Sequence, residues 1–257
     1  MTEDTFISHL IELRDRLLRS LVAVGIVFGL LCIYPGPGAI YDVLALPLTK
    51  ELPAGTRMIA TSVITPFLVP VKVTAMVAFM LALPYVLYQT WAFVAPGLYA
   101  HEKRLVVPLV FSSTLLFLVG VAFCYFIVFG QVFRFIAGFA PSSITPAPDI
   151  EQYLSFVLTM FIAFGLAFEV PVALIVLVRM GVVSVDKLRE FRGYFVVGAS
   201  VASAIITPPD VVSMLALLVP MWLLYEVGII VAGFVGKAAP READEDYRPV
   251  SEAEKKE

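Results

Sequence analysis

Apolar runs of about bilayer-spanning length recur along this chain, and no other feature limits its fold so severely. A helix needs about 20 apolar residues to cross the hydrocarbon core of a bilayer. Residues 17–34, 66–92, 105–129, 153–178 and 211–235 form runs of about that order, and 194–206 forms a shorter one. Apolar residues make up 60% of the 257, and the mean hydropathy is +0.93. A water-soluble domain of this length cannot bury that much apolar surface, so the expected solvent is lipid. The expected fold is an all-α polytopic membrane protein: a single six-helix domain over residues 1–236, followed by an acidic tail at 237–257.

The breaks between runs are turn chemistry and charge. Pro35-Gly36-Pro37-Gly38 closes the first run. Residues 39–65 carry Pro47, Lys50, Glu51, Pro53 and Arg57, and are expected outside the lipid as a structured loop with short helices. His101-Glu102-Lys103-Arg104, the Pro- and Ser-rich segment 141–149 and the charged segment 186–192 separate the later runs. The fifth run has 13 residues, about 20 Å of helix against a core of about 30 Å. It is expected as a short helix joined tightly to the sixth through Thr207-Pro208-Pro209-Asp210.

Six spans place both termini on one side. With the N-terminus in the cytoplasm, 14 Lys/Arg lie inside and four outside, a clear positive-inside bias. From Ala238 to Glu257 the chain holds seven acids against four bases, which accounts for the whole net charge of −3, and this tail is expected to be disordered. No strongly basic field suggests nucleic acid. No cleavable leader is expected, because the first run is too long for one. Cys32 and Cys124 lie within apolar runs and fit small buried residues rather than a disulfide framework.

A few polar groups sit where lipid is expected. Glu169, in Phe168-Glu169-Val170-Pro171, falls near the middle of the fourth run. A carboxyl at that depth must face protein or water. It fits a proton relay, a polar contact for another helix, or a neutral acid beside the carbonyl that Pro171 frees. Gln89, Thr90 and Trp91 fit interface anchors, and Glu226 reaches toward the inner interface. Glu12 has Arg16 at i+4, the favourable direction for a helix ion pair. Glu12 and Glu102 both lie on the expected cytoplasmic face, where a cationic peptide would meet both.

Enzyme signatures are missing. There is no nucleotide P-loop, no zinc-protease helix motif, no nucleophile elbow and no histidine cluster for a metal. An enzyme is not expected, nor a cofactor. One alternative kept open is a proton-coupled small-solute transporter centred on Glu169. It lacks the repeats and Gly-broken helix pairs such carriers usually show.

His9-Leu10-Ile11-Glu12-Leu13-Arg14-Asp15-Arg16-Leu17 closely resembles the N-terminal signature of the TatC family, the receptor subunit of the twin-arginine protein translocase. Phe93-Val94-Ala95-Pro96-Gly97-Leu98-Tyr99-Ala100-His101-Glu102 is similar to the family's first cytoplasmic loop. Ser155-Phe156 with Phe168-Glu169-Val170-Pro171 resembles its fourth helix, and Thr207-Pro208-Pro209-Asp210 its last outer turn. The resemblance covers residues 8–236. It implies a cupped bundle of six tilted helices in the bacterial inner membrane, and a receptor for signal peptides with consecutive arginines. It also implies TatA- and TatB-type single-span partners, self-association, and export of folded proteins on the proton-motive force. Carried over to this sequence, Glu12 and Glu102 bind the arginine pair, with Leu13, Arg14, Phe93, Pro96, Leu98 and Tyr99 shaping the same surface. Glu169, Pro171 and Gln89 are the polar positions within the membrane. Partner docking falls on Ile205, Thr207, Pro208, Asp210 and Met214, where Met214 stands in place of an expected polar residue.

Overall fold

A computed structural model of the chain describes residues 3–51, 58–94, 106–139, 147–207 and 210–235. These form α1 (Glu3–Ile33), α2 (Pro37–Glu51), α3 (Thr65–Val94), α4 (Val106–Phe123), a π-helical turn (Cys124–Val128), α5 (Phe129–Phe139), α6 (Ile150–Phe168), α7 (Val170–Arg179), α8 (Val185–Glu190), α9 (Arg192–Ile206) and α10 (Val211–Val235). Among the described residues there is no strand, only an isolated bridge between Ile59 and Asp149. Five helical stretches are long and apolar enough to cross a membrane: Ile7–Ile33, Thr65–Phe93, Val107–Ile136, Ile150–Arg179 and Val211–Phe234. Pro37–Leu46 and Arg192–Ile206 are shorter apolar helices. The expected tail lies outside the described residues.

The helices overrun the apolar runs that announce them, for local reasons. α1 begins at Glu3, well before residue 17, because the charged segment is itself a good helix and nothing breaks it before Tyr34-Pro35-Gly36. Gly36 then takes φ +93°, a conformation open to glycine. The third run continues past residue 129 to Phe139 through the π-helical turn. The fourth divides at Glu169. Pro171 has no N–H to give the preceding turn, and the Glu169 N–H bonds back to Leu166 O at 3.1 Å. Residues 39–65 contain α2 and then Met58–Ile64, which runs beside the start of α6.

The core lies where α6 meets α3, α4 and α5. Leu154, Val157, Met160 and Phe164 of α6 are buried against Val69, Val73, Phe117, Cys124, Phe129 and Val132. Gly120 lets α4 approach closely: a Cβ there would sit 2.6 Å from Phe164 O. Such small-residue contacts are how helices pack without a water-driven hydrophobic effect. A second cluster joins α7, α8 and α10 around Leu174, Leu188, Tyr225 and Ile229. α1 stands apart. It packs mainly on α3, and only 6% of its span is buried. Cys32 and Cys124 are both free thiols.

Candidate functional site

The charged half of α1 meets the last turns of α3. Glu12, Arg16 and Ser20 follow one another at four-residue spacing, so they form a stripe down one face. The Arg16 guanidinium donates to Glu12 Oε1 through Nη2 at 2.6 Å and Nε at 2.9 Å. Its third nitrogen, Nη1, donates to Gln89 Oε1 on α3 at 3.2 Å. Arg16 thus ties two helices together and occupies a single oxygen of Glu12. Among the described residues the other oxygen, Oε2, has only His9 Nδ1 nearby, at 4.0 Å. The His9 ring stacks on Phe93 with centroids 4.3 Å apart and planes 17° from parallel. The Glu12 side chain keeps 38% of its surface accessible and that of Arg16 23%.

This places Glu12, Gln89 and Phe93 in one patch. Gln89 is 5% exposed and holds Arg16, a tighter role than an interface anchor. Leu13 and Arg14 are exposed beside the patch, and Arg14 pairs with Asp15 at 2.8 Å. Pro96, Leu98, Tyr99 and Glu102 lie outside the described residues. Arg16 and His9 were not among the expected site residues. Arg16 pairs with Glu12 as its i+4 spacing led us to expect, but nothing local signals the stack of His9 on Phe93.

Glu169 stands at the break between α6 and α7. Both carboxylate oxygens are buried, and among the described residues neither makes a hydrogen bond of good geometry. Ser113 of α4 is close enough to interact with it, and its Oγ accepts the Trp91 indole N–H at 3.0 Å. The Ser113 hydroxyl proton is therefore left to turn toward Glu169. Pro171, the second residue of α7, is buried and lines, with Phe168, an apolar groove of about 720 Å³ between α4, α7 and α10. Glu226 pairs with Arg192 at 2.7 Å, tying α10 to α9.

The expected docking residues divide. Ile205 is 78% exposed at the end of α9. Thr207 is buried, and its hydroxyl donates to Ser203 O at 2.8 Å, which removes it from a docking surface. Asp210 Oδ1 caps α10 through the Ser213 N–H at 2.7 Å, while Oδ2 is buried without a partner. Met214 is partly buried one turn on. Pro208 lies outside the described residues. Among the described residues no group of three or more His, Cys, Asp or Glu could hold a metal ion.

At the opposite end of the bundle, polar groups bind α2 and Met58–Ile64 to α3, the π turn and α6. Tyr153 donates to Leu44 O at 3.0 Å and Tyr125 to Val43 O at 2.7 Å. Burial, with Asp42 second, pushes the Tyr41 phenol up to about 12, so it remains a donor, here to Met58 Sδ at 3.4 Å. Asp149 Oδ2 accepts from the Thr61 hydroxyl at 2.7 Å, while Oδ1 caps α6 through the N–H groups of Glu151 and Gln152. The Thr61 hydroxyl, then the Gln152 N–H, hold the Asp149 carboxyl below its usual range. Glu151 joins Lys72 at 3.1 Å and accepts from Thr65.

The chain matches the family model of the Sec-independent protein translocase protein, TatC, over residues 8–220. The TatC of Escherichia coli K12 is 50% identical over 243 residues, covering 93% of each chain. That of Halothiobacillus neapolitanus is 51% identical over 233 residues, 91% of this chain. The chain spans only 63% of that relative's length. A crystal structure of the twin-arginine translocase receptor TatC superposes with a TM-score of 0.76 at 39% identity, covering 88% of this chain and 99% of the other. With the family match, the identities and the superposition agreeing over most of its length, this multi-pass chain belongs to the TatC family of Sec-independent protein translocase proteins.

Proposed function

We propose that the chain is the receptor and core subunit of a twin-arginine translocase in a bacterial inner membrane, and that Glu12 and Glu102 together bind the arginine pair of a signal peptide. The observation that carries this is the state of Glu12. It already holds one guanidinium, that of Arg16, on a single oxygen, and among the described residues the second oxygen meets only His9, at 4.0 Å. An incoming arginine can add to the open oxygen or exchange with Arg16. Lysine, a compact point charge, cannot copy the planar fork. Half-burial beside Gln89 and Phe93 should make such a pair stronger than the ~0–1 kcal/mol of a fully exposed one.

In this reading α9 is a sixth span, both termini are cytoplasmic, and the domain ends near residue 236 with an acidic tail. TatA- and TatB-type partners and further copies of the chain complete the machine, and Ile205, Asp210 and Met214 contribute to partner docking. The chain is a transport component with no catalytic site or cofactor, driven by the proton-motive force. The test is photo-crosslinking of a twin-arginine peptide to the chain in native membrane vesicles. Glu12→Gln with Glu102→Gln should insert normally and lose the crosslink; an undiminished crosslink overturns the proposal.

The orphaned carboxyl of Glu169 favours a second reading, a proton-coupled small-solute carrier. It requires gradient-driven solute uptake by vesicles holding this chain alone, lost in Glu169→Gln. No uptake under any gradient rejects it.

A further inference from the structure

We infer that the groove between α1 and α3 just below Arg16 is a binding site for an anionic phospholipid. The groove has a volume of about 440 Å³ and is lined by Leu18, Arg19, Val22, Ala23 and Ile26 of α1 and Tyr85 of α3. Its chemistry is graded. Arg19 stands at one end, and the apolar side chains continue to Ile26, about 10 Å along the helix. An anionic head group with an acyl chain has the same gradation.

Two polar groups in this groove make no polar contact with any described residue. The Arg19 guanidinium is exposed and makes no hydrogen bond or ion pair with any described residue. This sets it apart from Arg14 and Arg16, which are both paired. Tyr85 is 41% exposed, and among the described residues it meets the ring of Tyr88, at 6.5 Å, while its hydroxyl has no hydrogen-bond partner. A phosphate diester has the acceptor oxygens both donors lack. Arg19 lies about 10 Å along α1 from Glu12, one turn past Arg16. With the Glu12 patch at the membrane surface, that is the depth of head groups and glycerol, where tyrosines also gather. Cationic pockets between spans on the cytoplasmic side are a recurring mode of anionic-lipid recognition. The site lies outside the Glu12 patch and rests on the proposed reading that the chain spans a bilayer with its N-terminal end cytoplasmic. It gives the poorly buried α1 a second support beside α3.

The test uses the full chain in phosphatidylcholine nanodiscs with traces of photoactivatable phosphatidylglycerol or photoactivatable phosphatidylcholine, and maps the labelled residues. The glycerol lipid should label residues 18–26 and Tyr85 about fivefold more than the choline lipid. Arg19→Gln should bring the two to parity. Val22→Trp, which fills the groove and leaves the charge, should remove the label from α1. Equal labelling by the two lipids in the unaltered chain overturns the inference. So does a preference unchanged in Arg19→Gln, a label retained in Val22→Trp, or protection of the groove by a co-reconstituted single-span partner helix instead of lipid.

Discussion

The two ends of the bundle use hydrogen bonds in opposite ways. Around α2 they join residues far apart in the chain: Tyr153 reaches Leu44, Tyr125 reaches Val43 and Asp149 reaches Thr61. Around Glu12 most stay within one helical turn, and the bond from Arg16 to Gln89 is the long-range exception. A long-range bond to a buried carbonyl fixes one helix on another, because losing it strands a polar group. A local ion pair on a half-open surface is weak and exchangeable. One end is therefore built as a fixed cap, and the other as a surface whose charges can change partners.

Substitutions can break this contrast. Tyr153→Phe removes a buried hydrogen bond that ties α6 to α2, so unfolding of the purified chain by denaturant should show a loss of about 1–1.5 kcal/mol. Arg16→Gln should cost about 1 kcal/mol or less in the same assay, since Glu12 can turn to water. If the order were reversed, the Glu12 end would be the rigid one. The smallest effect is expected at Asp149, which is only partly buried. Its folded-state pKa is lowered, so its contribution is present above the ordinary carboxylate range and fades as pH falls through the folded value. The melting temperature of the chain should exceed that of Asp149→Asn near pH 7, and the gap should close below about pH 4. A gap that widened in acid would reverse the sign of this linkage.

The fold was legible wherever apolar length and breakers decide it. Pro35-Gly36 ended α1 as expected, and the short α9 appeared where only 13 apolar residues stand. The overruns were not legible from hydropathy. The first turns of α1 are helical because no breaker separates the charged segment from the apolar run, and the third helix passes residue 129 because no proline intervenes until Pro141. Glu12 could be singled out because its acid adds nothing to the orienting arginines around it. Its geometry could not, because the Arg16–Gln89 bond and the His9–Phe93 stack join α1 to residues more than 70 positions away. Thr207 shows the converse: its place in a recognisable motif suggested a surface role, while its hydroxyl serves the end of its own helix.

The central claim is that Glu12 reads arginine geometry rather than positive charge. The direct measurement is the affinity of an arginine-pair peptide relative to its lysine-pair counterpart, for the chain and for Glu12→Gln in the same bilayer. The chain should prefer arginine by about tenfold or more, the scale of one charge-assisted hydrogen bond, and the variant should bring the ratio close to one. An arginine preference that survives intact in Glu12→Gln would contradict the account.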